Sequence, residues 1–300
     1  MGTASPREPG HTGMKSSEST TESGRLDAER AIFADLSTTL AVESAARRRK
    51  LRIKVWLVRA AVLVIIFGGW QAATGIGLVD TVLTSTPLDV LKYLANAVTD
   101  RSLQSAVVAT LTASIEGLVI GSIIGITLAL LLHGLPTLAK ATRPYITFAN
   151  SLPRPALAPI FLVWFGLGLT AKVVLSISIV LFVMLITTTG GLQGTNHDWL
   201  LLSRSMGMSR VQRLFRIEVP ASTPSIMSGL RISASYSVLG VVISELVAAS
   251  TGLGQLLIQS TNSFNIAASF GLIIIVGLIA TALDQLISLI EHRLAWSPTR

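Results

Sequence analysis

Residues 201–220, LLSRSMGMSRVQRLFRIEVP, carry four arginines between two long apolar segments. Guanidinium groups form paired hydrogen bonds with carboxylates and phosphates. An arginine cluster at this position is suited to acidic groups of a cytosolic protein or to lipid headgroups. It offers no nucleophile paired with a base, so the chemistry it predicts is recognition without bond breaking.

Catalytic motifs are missing from the rest of the sequence as well. The chain has no cysteine, and its four histidines, at 11, 133, 197 and 292, are not at metal-ligand spacing. The piece GHTGMKSS resembles a phosphate-binding loop, but Met14 breaks the required Gly-Lys-Ser order. No Gly-x-Ser-x-Gly nucleophile elbow occurs. We therefore expect no catalytic residue, no metal and no cofactor in this chain.

The arginine stretch is expected to form two short helices at a fixed angle. Residues 199–206 suit one helix, Gly207 breaks it, and Ser209 suits the N-cap of a second helix that continues to about Ile217. Pro220 is expected to end that helix and direct the chain back toward the next apolar segment.

The elements around this stretch are long and apolar. Half of the 300 residues are hydrophobic and 13% are charged, against about 25% in soluble domains. Segments long enough to cross a bilayer are predicted at 55–72, 111–132, about 145–167, about 173–190, 226–248 and 271–290. We predict an all-α polytopic membrane protein with six transmembrane helices. The third span is expected to be irregular, because prolines interrupt its first half.

The predicted domain organisation is a tail followed by one membrane domain. Residues 1–46 read as a cytoplasmic tail, disordered at first and then an amphipathic helix, and Met14 is an alternative start to Met1. Residues 47–300 form the six-span domain, and residues 191–225 are its longest internal cytosolic loop. Basic residues border the apolar segments on one side, six of them between 47 and 54. This bias predicts a plasma-membrane protein with both termini in the cytoplasm and argues against nucleic-acid binding.

Acidic residues also lie in or beside the spans. Glu116 precedes Gly117, Gly121 and Gly125, whose four-residue spacing predicts a close helix-packing face. Glu245 and Asp284 are the other two such acids. Charge within a membrane is costly and marks a candidate functional site. Glu245 is expected to shape an external gate or to pair with a base in the bundle.

Four stretches of the sequence resemble parts of one protein family. Gly207, Ile217 and Pro220 stand at the spacing of the cytoplasmic coupling motif of bacterial ATP-binding-cassette (ABC) importer permeases, although Leu201 replaces that motif's acidic residue. NSLPRPALAPIFLVWFGLG, PASTPSIMSGLRIS and SELVAASTGLGQLL are similar to the nitrate, sulfonate and taurine branch of that family. The resemblance covers about residues 55–295.

The resemblance implies a type I importer permease that works as a pair of subunits, here expected to be a homodimer. Two cytosolic ATPase chains would bind ATP and magnesium, and an extracytoplasmic substrate-binding protein would deliver the solute. The residues implied in ATPase coupling are Ser203, Arg204, Gly207, Met208, Ser209, Arg210, Ile217 and Pro220. The polar residues expected along a translocation pathway are Ser176, Ser233, Ser235, Tyr236, Ser237, Ser244 and Glu245.

The solute implied by the resemblance is a small anion such as a sulfonate, taurine or nitrate, with a vitamin precursor or an aromatic carboxylate as the alternative. An ion-coupled secondary transporter is the rival interpretation. It requires internal repeats and paired broken helices with ionisable groups at the midplane, and the sequence shows no such repeat. A membrane-embedded enzyme is disfavoured because the sequence lacks the catalytic motifs described above.

Overall fold

The computed structural model describes Leu51 and residues 53–97, 99–248 and 250–294. It divides into two compact units, Met1–Trp70 and Gln71–Arg300. The predicted tail, residues 1–46, lies outside the described residues. The first unit contributes most of α1, Ile53–Gly75, an apolar helix long enough to cross a membrane. Its large side chains are exposed, Ile65 at 71% for example, which suits a helix surrounded by hydrocarbon.

The second unit is built from helices wherever it is described. In chain order they are α2 (Thr81–Thr84), α3 (Pro87–Ala97), α4 (Arg101–Gly134), α5 (Pro136–Ser151), a 3₁₀ turn (Arg154–Leu157), α6 (Ala158–Phe165), α7 (Leu169–Gln193), α8 (His197–Ser205), α9 (Arg210–Arg213), a π turn (Leu214–Glu218), α10 (Val219–Ala248), α11 (Leu253–Asn262) and α12 (Ile266–Leu294). The all-α prediction is confirmed. Predicted spans one, two, four, five and six fall within long apolar helices.

Close packing of α4 on α7 forms the centre of the bundle. Gly117 lies against Ser176, Gly121 against Val180, and Gly125 against Leu181 and Met184. A Cβ added at Gly121 would lie 2.9 Å from the Val180 side chain, so only glycine permits this approach. The predicted glycine packing face is confirmed. The pairs advance together along both helices, and α4 and α7 therefore run parallel.

α10 packs against the other side of α7 in the opposite direction. Gly191 of α7 faces Ser222 and Ser225, whereas Ser176 faces Gly240. One end of the bundle is therefore marked by Glu218 and the other by Glu245, and we call them the Glu218 end and the Glu245 end. α12 follows α10 back toward the Glu218 end, since Leu272 packs near Leu253 and Asp284 contacts Arg231.

The chain must cross the bundle between α4 and α7, because two parallel helices need a connection that returns to the starting side. Residues 135–168 make this return as α5, the 3₁₀ turn and α6. The span predicted at about 145–167 is thus a broken crossing and not one continuous helix. Prolines at 153, 155 and 159 explain the break, since each removes a backbone N–H donor. The five long helices and this crossing account for the six predicted spans among the described residues.

Pro220 does not end a helix as the sequence analysis predicted. The helix that starts at Arg210 continues through α10 to Val247, so the span predicted to start at residue 226 begins much earlier. A proline ring clashes with the carbonyl four residues before it. The π turn, Leu214–Glu218, ends two residues before Pro220 and widens the helix in the preceding turn. We attribute the continuity of the helix to this widening.

Candidate functional site

The arginine stretch forms a hairpin of α8 and α9, residues 197–213, which we call the arginine hairpin. Asn196 caps the start of α8, because its side chain accepts a hydrogen bond from the Asp198 N–H. Gly207 ends α8 with φ of 70°. The Gly207 N–H donates to the Arg204 carbonyl (2.9 Å) and the Met208 N–H to the Ser203 carbonyl (3.1 Å). These two bonds are a Schellman cap, which fixes the turn.

A second cap follows two residues later. The Ser209 hydroxyl accepts from the Gln212 N–H (3.2 Å), and the Gln212 side chain accepts from the Ser209 N–H (3.0 Å). This capping box starts α9. The predicted Gly207 break and Ser209 cap are both confirmed. Because the exit from α8 and the entry to α9 are each hydrogen-bonded twice, the hairpin is stiff at its corner.

The surface of the arginine hairpin combines apolar and cationic side chains. Leu202 is 61% exposed and Met206 is 71% exposed. Arg204 and Arg210 are also exposed. Exposed apolar groups in a patch rimmed by charge are typical of a protein-binding surface. The hairpin thus offers a docking surface with apolar contacts and positive charge.

A buried carboxylate joins the hairpin to the membrane helices. Glu218 is 3% exposed; its Oε1 lies 2.7 Å from Arg213 Nε and its Oε2 lies 2.5 Å from His133 Nε2. His133 is in the last turn of α4. A cavity of about 460 Å³ adjoins this cluster, and its lining includes Arg204 and Arg210. The sequence analysis did not predict this cluster. In the sequence, its members are only a histidine near the end of one helix and a glutamate near the start of another.

Some of the predicted coupling residues lie on the surface, and the others are buried or half-buried. Arg204, Gly207, Ser209, Arg210 and Pro220 are exposed, whereas Ser203 is 1% exposed and Met208 and Ile217 are half-buried. The Ser203 hydroxyl donates to the Leu200 carbonyl. Ser203 is therefore placed to support the hairpin from inside. The coupling role of the whole set stays a prediction.

The Glu245 end holds a second buried carboxylate. Glu245 is 1% exposed, and its Oε1 lies 3.0 Å from Nζ of Lys172, which is 2% exposed. The Thr110 hydroxyl lies 2.9 and 3.0 Å from the two carboxylate oxygens, and the Gly254 N–H donates to Oε2 at 2.9 Å. The expectation that Glu245 pairs with a base in the bundle is confirmed. The sequence analysis did not identify Lys172 as that base.

The same cluster fixes the turn between α10 and α11. The Leu253 N–H donates to the Thr110 hydroxyl at 2.9 Å, and Lys172 also donates to the Thr251 carbonyl. Gly252 has φ of 116°, and a side chain there would collide with the Glu245 carboxylate. Three helices, α4, α7 and α10, are therefore tied to this turn by one hydrogen-bonded network.

The predicted pathway serines fall into two groups. Ser176, Ser233, Ser237 and Ser244 are buried between helices. Ser235 and Tyr236 are exposed on α10 and line an open cavity of about 480 Å³. The pathway assignment stays a prediction for the whole set. Ser235 and Tyr236 are the accessible members of the predicted set in this structure.

Two further polar features complete the membrane region. Arg231 of α10 lines that cavity and pairs with Asp284 of α12, with Nε 3.1 Å from Oδ1. The sequence analysis assigned no role to Asp284, and this contact makes it the ion-pair partner of Arg231. No group of three or more His, Asp or Glu side chains that could hold a metal occurs in the described part of the chain. Arg154, in the broken crossing, was also not singled out from sequence.

Comparison with protein families identifies one match. The family described as binding-protein-dependent transport system inner membrane component matches residues 117–296. An ABC transporter permease protein from Haemophilus influenzae is 32% identical over 181 residues, covering 60% of this chain and 74% of that protein. A formylaminopyrimidine transport permease from Halalkalibacterium halodurans is 32% identical over 171 residues, covering 57% and 68%. An aliphatic sulfonates transport permease from Bacillus subtilis is 25% identical over 243 residues, covering 80% and 87%.

Solved structures show the same fold. An amino acid ABC transporter matches with a TM-score of 0.55 and 21% identity, covering 70% of this chain and 100% of that chain. A bacterial alginate ABC transporter in complex with an alginate-bound periplasmic protein matches with a TM-score of 0.56 and 16% identity, covering 83% and 97%. Both chains belong to ABC transporters, and what they share with this chain is the helical architecture.

Proposed function

Because the chain belongs to the family of binding-protein-dependent transport system inner membrane components, we propose that two copies of it form the translocation pathway of an ABC importer. The chain is a multi-pass permease subunit and not an enzyme. ATP hydrolysis is carried out by a separate ATPase. In the proposed assembly that ATPase binds ATP and magnesium, and the permease pair supplies the route across the inner membrane.

The arginine hairpin is the proposed contact with the ATPase. The observation that carries this proposal is the corner at Gly207, where a Schellman cap and a capping box stiffen an otherwise exposed segment. A stiff segment transmits a displacement to the helix that follows it, and α9 continues into α10 without a break. Movement of the ATPase would thus reach the membrane through α10. Exposed Leu202 and Met206 would provide apolar contacts, and Arg204 and Arg210 would meet acidic groups.

The Glu218 end is then the cytoplasmic end, and the Glu245 end faces the binding protein. Six crossings return the chain to the side on which it started, so both termini would lie in the cytoplasm. The basic residues of the hairpin and those at 47–54 support this orientation. A second copy of the chain is the expected partner along the exposed face of α10, which includes Ser235 and Tyr236.

The proposed solute is a small organic anion of the sulfonate, taurine or nitrate class. The sulfonate permease of Bacillus subtilis, similar over most of both chains, supports it. The second candidate is a vitamin precursor, supported by the higher identity to the formylaminopyrimidine permease over a shorter segment. The two candidates differ in charge, and charge is therefore the property that an experiment must separate.

The test is reconstitution of the chain with candidate ATPases and binding proteins in liposomes. We expect one ATPase to co-purify with the chain and one ligand-loaded binding protein to stimulate its hydrolysis of ATP. The ligand that gives stimulation identifies the solute. If no ATPase associates and uptake instead follows a proton or sodium gradient, the importer proposal is wrong and an ion-coupled transporter takes its place.

A further inference from the structure

We propose that Arg154, in the broken crossing, binds the anionic group of the solute near the middle of the membrane. This inference rests on the proposed function. It names one side chain that would recognise the anionic class of solute. It starts from the position of the 3₁₀ turn, Arg154–Leu157, which packs against both α7 and α10.

The depth of Arg154 follows from its contact with α7. Its guanidinium carbon lies 4.3 Å from the centre of the Phe182 ring. Phe182 is near the midpoint of α7, about 15 Å along the helix from Lys172 and about 16 Å from Gln193. Both ends of α7 are at the ends of the bundle. The guanidinium therefore lies near the centre of the span, too far from either surface for the side chain to reach headgroups.

The protein contacts of Arg154 leave its charge uncompensated. Nη2 donates to the Ala149 carbonyl, at 2.6 Å, and the guanidinium carbon lies over the ring of Phe182. Ion pairs between described residues include Arg231 with Asp284 and Lys172 with Glu245, but none involves Arg154. A membrane-centre charge without a partner is expensive and is retained for a function.

The surroundings of Arg154 favour contact with a solute over contact with lipid. Its side chain is partly exposed, and lipid hydrocarbon would not solvate the exposed donors. The backbone beside it is non-helical, and irregular backbone at membrane depth is tolerated where it lines a cavity or is covered by protein. Gly229 faces Thr187 and Gly240 faces Ser176. Phe182 is thus level with about residue 234, next to exposed Ser235 and Tyr236.

The chemistry of the side chain specifies the ligand class. The guanidinium is planar and presents parallel N–H donors, which match two oxygens of a carboxylate, sulfonate or nitrate. An uncharged solute would gain little from this group. The geometry therefore favours the anionic candidate for transport.

The first test measures electrostatic potential beside Arg154. The chain contains no cysteine, so Ala156→Cys places one reactive thiol two residues from the guanidinium. In the reconstituted transporter, the thiol is treated with a singly negative sulfonatoethyl methanethiosulfonate or a singly positive trimethylammonioethyl methanethiosulfonate. We expect both reagents to react, and Arg154→Gln to lower the negative-to-positive rate ratio by about tenfold. Arg143→Gln, which removes an exposed cation from α5, is the matched control and should leave the ratio unchanged.

Failure to label Ala156→Cys with either water-soluble reagent would overturn the proposal, because the site would then face lipid or a protein interface. An unchanged rate ratio in Arg154→Gln would overturn it as well. ATP hydrolysis stimulated by the loaded binding protein is recorded in the same liposomes. If neither the Ala156→Cys chain nor the unmodified chain shows stimulated ATP hydrolysis, the proposed function has failed, whatever occurs at residue 154.

The second test compares uptake with ATP hydrolysis. For the solute identified by the binding-protein screen, Arg154→Gln should lower uptake at least about tenfold while stimulated hydrolysis persists, and Arg154→Lys should retain more uptake than Arg154→Gln. Uptake of an uncharged or cationic solute, or unimpaired uptake of an anion by Arg154→Gln, would contradict the assignment.

Discussion

Both ends of the long helix that contains α10 carry a buried carboxylate, and the two carboxylates are held in different ways. Glu245 contacts Lys172, Thr110 and the Gly254 N–H, and the Lys172 side chain is only 3% exposed. Glu218 contacts Arg213 and His133, whose side chains are 19% and 27% exposed. A cavity borders each carboxylate, but both charged side chains of the first pair are buried, whereas the partners of Glu218 are partly exposed.

The difference indicates which end can rearrange. Breaking the Glu245 cluster would leave two charges without water or partner, so that end behaves as a fixed anchor for α4, α7 and the turn before α11. The partners of Glu218 can be solvated when they separate, and one of them, Arg213, belongs to the arginine hairpin. Motion of the hairpin relative to α4 is therefore less costly than motion at the Glu245 end.

The largest predicted effect comes from breaking the anchor. Glu245→Ala leaves Lys172 buried without a carboxylate and should cost about 3–5 kcal/mol of folding free energy. Denaturant titration of the purified chain, followed by circular dichroism, measures this loss. Replacing both partners, as Glu245→Leu with Lys172→Met, should recover most of it. If the single substitution costs no more than Asp89→Ala, which breaks an exposed ion pair with Lys92, the anchor interpretation is wrong.

The next effect concerns the close packing of α4 on α7, the helices that run between the two ends. Gly125→Ala would place a Cβ 2.6 Å from the Leu181 carbonyl oxygen, and relieving that clash should cost about 1–3 kcal/mol. Gly134→Ala is the control, because no atom outside its local helix lies within 4 Å of the added carbon. The same denaturant titration compares the two. Equal stability would show that α4 and α7 tolerate separation.

A smaller loss of stability but a large loss of uptake is expected at the hairpin corner. Gly207→Pro cannot adopt φ of 70°, so it should change the angle between α8 and α9 and abolish uptake. Because Gly207 is exposed, the protein should remain in the membrane at wild-type amounts. Uptake assays and immunoblots of membranes check both parts. Normal uptake would show that the corner is not needed for coupling.

The smallest predicted effect is the loss of one cap. Ser209→Ala removes the hydroxyl that accepts from the Gln212 N–H and should cost about 1 kcal/mol, confined to the start of α9. Hydrogen exchange at residues 210–213 should accelerate accordingly, while exchange near Glu245 stays unchanged. Acceleration at both ends would mean that the ends are more tightly coupled than the comparison suggests.

The sequence predicted the features that depend on local residue patterns. The six crossings follow from apolar length, the Gly207 corner from the conformational freedom of glycine, and the α4 packing face from glycines four residues apart. Each of these patterns lies within one element. The prediction that the helix ends at Pro220 was wrong, because the π turn that lets the helix continue has no distinct sequence signal.

The charged clusters were not predictable in the same way. Lys172 and Glu245 are 73 positions apart, and His133 and Glu218 are 85 apart. The first pairing depends on α10 running antiparallel to α7. The second also depends on α4 running parallel to α7, which is known only once the broken crossing is seen. Arg154 was missed for a related reason, since its depth follows from Phe182 and not from its own neighbours.

The most direct test of the account asks which end of the chain contacts the ATPase. Met206 in the hairpin and Phe264 at the opposite end are 71% and 70% exposed, and a cysteine can be placed at either in this cysteine-free chain. A short thiol-to-amine cross-linker is then added to membranes that contain the whole transporter. The account predicts that Met206→Cys captures the ATPase and that Phe264→Cys does not. Capture of the ATPase from Phe264→Cys, with none from Met206→Cys, would contradict both the orientation and the proposed coupling surface.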